Sequence, residues 1–226
     1  ERIITSRSWV HEKKEPNQAS FLRVPAIQLL MFEGIFIGLG WGFFDVGVPA
    51  YTTLEGVPHR TAWLFAIMAA SNVAGGLIAG LLKKRKSSYR TMRSIYGAWA
   101  LFSLPLYFTQ PNWTLALVGA SLGLAGGALQ VIYFEVLELV RPPGTATASL
   151  GWLWTIEGSM AALGSAIGGW VAKNLSPQIC LATTSIMLCI GYVIMTIGRK
   201  RLAAADIPPT EAATTEAIGD TEDLTE

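Results

Sequence analysis

Five carboxylic acids stand in stretches otherwise built from apolar residues: Glu33, Asp45, Glu135, Glu138 and Glu157. No Lys, Arg or His shares those stretches, so none of the five has a base at its own depth. In hydrocarbon a charge costs roughly 2.5–3.5 kcal/mol by insertion scales, so such an acid must be hydrated, paired or protonated. An acid whose hydration changes can take up and release a proton. Other chemistry is poorly served. Both His, His11 and His59, lie outside the apolar stretches. A Ser–His or metal centre at that depth therefore lacks its imidazole. Cys180 and Cys189 share one stretch, about 13.5 Å apart along a helix, and cannot bridge each other. No Gly-Lys-Ser phosphate loop is present. The expectation is a protein that is not an enzyme, with no cofactor, no metal and no nucleic-acid partner.

The five acids differ in position. Glu33 lies about 7 Å inward of the midpoint of its apolar stretch, and Glu157 about 5 Å from the midpoint of its own. These two are the leading proton-coupling or cavity candidates. Asp45 stands near the end of the same stretch as Glu33, where it is either a cavity group or simply hydrated. Glu135 and Glu138 occupy the last turns of their stretch beside Arg141, the place of interfacial carboxylates paired with loop bases. Asn72 and Gln130 are uncharged polar groups suited to a cavity contact or a helix-to-helix hydrogen bond. Of the Trp residues away from stretch ends, Trp154 is the ligand-stacking candidate.

These residues have to be held by long apolar helices. The chain of 226 residues is 51% hydrophobic and 15% charged, with a mean hydropathy of +0.42. Soluble domains carry ~25% charge. A bilayer core ~30 Å thick takes about 20 apolar residues of helix. Six stretches come close: about 24–51, 62–82, 94–109, 114–139, 149–172 and 178–198, the third shortened by Pro105. The breaks between them gather charge, Pro, Gly and Asn. With six crossings, fifteen of the 17 Lys and Arg fall on one side and only Arg60 and Lys173 on the other. That asymmetry marks both termini as cytoplasmic and predicts an all-α, multi-pass protein of the plasma (inner) membrane. Residues 1–23 read as a cytoplasmic linker. Residues 199–226 read as a disordered tail, because seven acids follow Arg201 without a base. The first residue is Glu, so the sequence is expected to be a fragment or processed product.

Gly recurs every four residues on the first stretch (Gly34, Gly38, Gly42) and on the second, fourth and fifth, the pattern of closely packed membrane helices. The acids and the Gly ladders together expect the third and sixth stretches to face lipid.

Three motifs resemble the C-terminal half of a major facilitator superfamily transporter. Gly80-Leu-Leu-Lys-Lys84-Arg85-Lys86 is similar to the family's G-x-x-x-D-R-x-G-R-R loop, with Gly80 and Arg85 matching and Lys84 in place of Asp. Gly164-Ser-Ala-Ile-Gly168-Gly169 resembles the antiporter G-P-x-x-G-G packing signature, with Ser165 for Pro. Pro143-Gly144-Thr145-Ala-Thr147-Ala-Ser149, followed by Trp152, resembles the corresponding segment of bacterial efflux-type members, actinobacterial ones in particular. The resemblance spans about residues 20–200. It implies one six-helix half of a secondary transporter, with Gly80 and Arg85 in a gating loop. It also implies a small-molecule substrate, protons as the coupling ion, lipid around the bundle, and a missing N-terminal half or a second copy to complete the path. Proton-coupled export of a small amphipathic molecule is the first reading. A half-size subunit with an assembly or regulatory role is the alternative.

Overall fold

The computed structural model describes residues 22–81 and 87–206. They form six α-helices: α1 (Pro25–Leu54), α2 (Arg60–Leu81), α3 (Ser88–Ser103), α4 (Trp113–Val140), α5 (Ala146–Asn174) and α6 (Pro177–Ile197). Local chemistry sets the starts. Pro25 and Pro177 open α1 and α6, where the missing N–H costs nothing. Ser87, Asn112 and Ser176 cap α3, α4 and α6 by accepting backbone N–H bonds from Arg90, Thr114 and Ile179. Gly56 and Gly144 take φ of +70° and +76° in the turns after α1 and α4, a region that side chains avoid. Pro105 ends the α-helical part of α3, and the chain continues as a 3-10 stretch, Leu104–Phe108.

The helices pack as two intimate pairs, α1 on α5 and α2 on α4. α6 covers α1 and α3 covers α4, while the two pairs barely touch each other. Exchanging α1 with α4, α2 with α5 and α3 with α6 reproduces this pattern, the signature of an internal three-helix repeat. Glycine makes both pairs. A Cβ on Gly38 or Gly42 would strike the backbone of Glu157 or Ala161 on α5, and one on Gly164 would strike Leu39. On the other pair, Gly75, Gly123 and Gly127 lie against the backbones of Leu124, Met68 and Asn72. Hydroxyls add cross-links: Ser165 and Thr184 donate to the Gly42 and Gly40 carbonyls, 3.3 and 3.1 Å away.

Four helices are long and apolar enough to cross a bilayer: α1, α2, α4 and α6. The other two fall short for visible reasons. α3 opens with Ser88-Tyr-Arg-Thr-Met-Arg93, and α5 mixes Glu157 with Gly, Ser and Thr. Both still run alongside the others as members of the bundle.

α3 and α6 turn apolar residues outward, among them Leu101, Phe102, Ile186 and Val193. α2 and α5 are bare as well: Val73, Leu77 and Leu81 stand out of the bundle, and α5 exposes Trp152, Leu163 and Trp170. The close pairing uses only one face of α2 and α5 and leaves their other faces uncovered. One expectation needs correction: the tail does not lose structure at residue 199. Gly198–Ala205 forms a 3-10 stretch, with Leu202 and Ala205 fully buried. Asp206 then accepts hydrogen bonds from Ser87 Oγ (2.7 Å) and Arg90 Nε (2.9 Å). A buried leucine and a two-donor carboxylate hold this segment where its composition suggests none. The rest of the tail, the linker at 1–21 and Arg85 lie outside the described residues.

Candidate functional site

The seam between the two helix pairs widens into a cavity of about 130 Å³. A single water needs only ~10–15 Å³, so several fit. Glu33 from α1, Asn72 from α2, Gln130 from α4, and Trp154 and Glu157 from α5 all line it. Five of the six residues singled out as coupling or cavity candidates therefore meet in one place. The cavity lies in the half of the bundle where α1 begins and α4 ends, towards the termini.

Glu33 is the deepest group, with no exposed surface. Tyr96 of α3 donates to its Oε1 at 2.6 Å. Its Oε2 is buried and has no hydrogen-bond partner among the described residues. Room for this pair comes from α6. A Cβ on Gly191 would collide with the Tyr96 hydroxyl and come within 3.7 Å of Glu33 Oε1. Glu157 is half-buried on the facing helix and forms no ion pair among the described residues. The two acids thus face one small space without a cation, the arrangement whose cost demands water, a proton or a ligand.

Aromatic rings make up much of the remaining wall. Trp41 and Trp99 lie with ring centroids 5.9 Å apart, and Tyr96 and Trp99 at 5.6 Å. The Trp99 indole N–H is buried and finds no acceptor among the described residues. Trp154 stands 51% exposed at the rim. Tyr133 and Phe134 complete the α4 side.

Asp45 is absent from this cavity. It is exposed near the other end of α1, in a shallow hollow with Gly169 and Lys173. Helix geometry explains this: twelve residues of helix place Asp45 about 18 Å beyond Glu33. Gly169 needs a matching correction. Gly164 and Gly168 touch α1 at Leu39 and Phe43, but a Cβ on Gly169 would meet nothing within 4 Å. One further residue turns it off the packed face. Gly80 likewise meets nothing. Glu135 accepts from Ser88 Oγ, and Glu138 is paired with Arg141 three residues on, at 2.7 Å from Nε. Both acids thus sit in interfacial contacts away from the cavity.

Tyr96, the Glu33 donor, was not visible among the sequence candidates. Its signal was the buried stripe Tyr89, Met92, Tyr96, Trp99 and Ser103 on α3, a 3.6-residue period that marks a packed face without naming what it meets.

The sequence profile of the Major Facilitator Superfamily matches residues 30–222. The chain belongs to the major facilitator superfamily. It is an integral membrane protein of a transporter family, and its six helices form one half of the facilitator fold. No curated protein is similar enough to the chain to count as a match.

Proposed function

We propose that this facilitator is a proton-coupled secondary transporter that exports a small amphipathic molecule, with Glu157 and Glu33 as its coupling acids. The observation that carries the reading is the convergence of both acids, unpaired with any described base, on one aromatic-walled cavity at the seam of two rigid helix pairs. A movement of the seam changes the water around both carboxyls, and hydration governs whether a carboxyl holds its proton. A conformational step is thereby tied to proton uptake or release. Glu157, nearer the rim, exchanges with solvent, and Glu33 serves as the inner acceptor.

The bared faces of α2 and α5 flank the cavity and suit a second six-helix unit, either an N-terminal half or another copy. The positive-side asymmetry supports a plasma-membrane protein with both ends of the bundle in the cytoplasm. An impermeant thiol reagent applied to intact cells should then label a Cys placed at Asn174 and spare one at Arg201; the reverse pattern overturns this orientation.

The functional test uses liposomes holding the whole protein, an imposed pH gradient and a panel of charged and neutral amphipathic radiolabelled solutes. Glu157→Gln should lose gradient-driven movement of the transported solute and keep gradient-independent exchange. Wild-type accumulation by the variant removes Glu157 from coupling.

A further inference from the structure

We infer that the cavity selects a protonated aralkylamine: a ring carried on a short chain that ends in an ammonium group. The inference rests on reading this cavity as the transport site and names what it takes. Four features point to that chemistry. Glu33 lines the cavity, and its buried Oε2 lacks a donor among the described residues, so the site offers a carboxyl oxygen open to an incoming donor, most strongly a charged one. Glu157 supplies a second carboxyl from α5, the helix packed against α1. No described Lys, Arg or His lines the cavity to compete for either acid. The surrounding faces of Trp41, Trp99, Tyr133 and Trp154 attract a cation within about 6 Å of a ring centroid and stack on an aromatic body.

Geometry orders the contacts. Glu33 lies deepest and is anchored by Tyr96, so the ammonium points inward. Trp154 stands at the rim, so the ring lies outward, beneath the exposed edge of the cavity. An anionic ligand would face two carboxyls and no base. A neutral ligand brings no counter-charge, so it leaves the buried acid to be protonated, whereas an ammonium pairs with the carboxylate form. The titratable groups around Glu33 are Tyr96 of α3, Tyr133 of α4 and Glu157 of α5. None of them is a cation, so among the described residues the ammonium has no rival at the cavity.

The test compares phenethylammonium with phenethyl alcohol, its neutral isostere, by equilibrium dialysis against the whole protein in lipid nanodiscs. Phenethylammonium should bind saturably and at least about tenfold more tightly than the alcohol, a difference of roughly 1.4 kcal/mol. Glu33→Gln and Glu157→Gln should each bring the ammonium down to the affinity of the alcohol. Equal binding of the two probes to the unmodified protein overturns the inference and needs no variant to be folded. So does ammonium binding that survives both substitutions in proteins with wild-type melting temperatures. The coupling proposal fails separately. Charge-selective binding together with undiminished gradient-driven transport by Glu157→Gln keeps the amine site and removes the coupling role. Loss of gradient-driven transport with no preference for the ammonium does the opposite.

Discussion

Glu33 and Asp45 sit on one helix, in one apolar stretch, and meet opposite fates. Glu33 is buried at the inner end of the cavity, with a tyrosine on one oxygen and no partner among the described residues on the other. Asp45 lies open beside Lys173 near the end of the bundle, where solvent can answer its charge. The difference does not come from the acids or from their depth alone. It comes from what the neighbouring helices bring: α3 contributes a hydroxyl, α6 contributes a glycine that makes room for it, and α5 contributes a second acid. A carboxyl within a span becomes a candidate for chemistry when its surroundings withhold a counter-charge but still fix its geometry.

The largest expected effect breaks this contrast directly. Glu33→Gln should abolish gradient-driven transport, whereas Asp45→Asn should leave it close to wild type; measured side by side in liposomes, equal losses would erase the distinction. Next comes the packing that holds the two regions apart. Gly42→Val and Gly127→Val place side chains against backbone on α5 and α2, and overpacking of this kind costs about 1–3 kcal/mol or more. Gly80→Ala meets nothing within 4 Å and should gain about 0.5–1 kcal/mol of helix stability. Thermal melting in detergent separates the two classes, and similar melts would count against the close pairs.

A smaller effect is expected for Tyr96→Phe. It strips Glu33 of its only hydrogen bond among the described residues, at a cost of about 1–3 kcal/mol for a group left unsatisfied. The pH profile of transport should move while substrate affinity stays near wild type; an unmoved profile would make Tyr96 a packing residue only.

The smallest effect lies at the membrane surface. The Ser87 hydroxyl, joined by Arg90, holds the Asp206 carboxyl below its ordinary range, which for a free Asp is ~3.9. The tie is therefore complete above that range and is lost as pH falls through the lowered value. Because both side chains are substantially exposed, solvent screening keeps the contribution under ~1 kcal/mol. Hydrogen exchange at residues 198–206 should rise at acid pH in the wild type and be high throughout in Asp206→Asn. Protection that does not depend on pH would show that Leu202 alone holds the segment.

Much of this was legible in the sequence because it repeats. Glycine every fourth residue marked the helices that pair most closely, and the two acids nearest mid-span, Glu33 and Glu157, marked the cavity, while Asp45, Glu135 and Glu138 lie elsewhere. What escaped was single and long-range. Leu202 is one apolar residue in a polar stretch, too little to register as periodicity, yet it ties down the first turns of the tail. The Tyr96–Glu33 bond joins residues 63 apart in the chain, and no local pattern announces it. Gly169 was grouped with Gly164 and Gly168 by motif spacing, although a helix turns each residue by a fixed angle and carries it off the shared face.

The glycine contacts also bear on how such a protein can change over generations. At Gly42, Gly75, Gly123 and Gly127 the facing atoms are main chain, so no inherited change of side chain on the partner helix can make room for a methyl group. The walls of the cavity are a different kind of position: Leu150, Leu153, Trp154 and Gln130 contribute side chains that can be exchanged one at a time. Asn72 belongs to both sets. Its carbonyl is pinned beneath Gly127 while its side chain looks into the cavity. The main-chain contacts therefore hold the scaffold fixed, whereas the lining can change one side chain at a time without moving a helix.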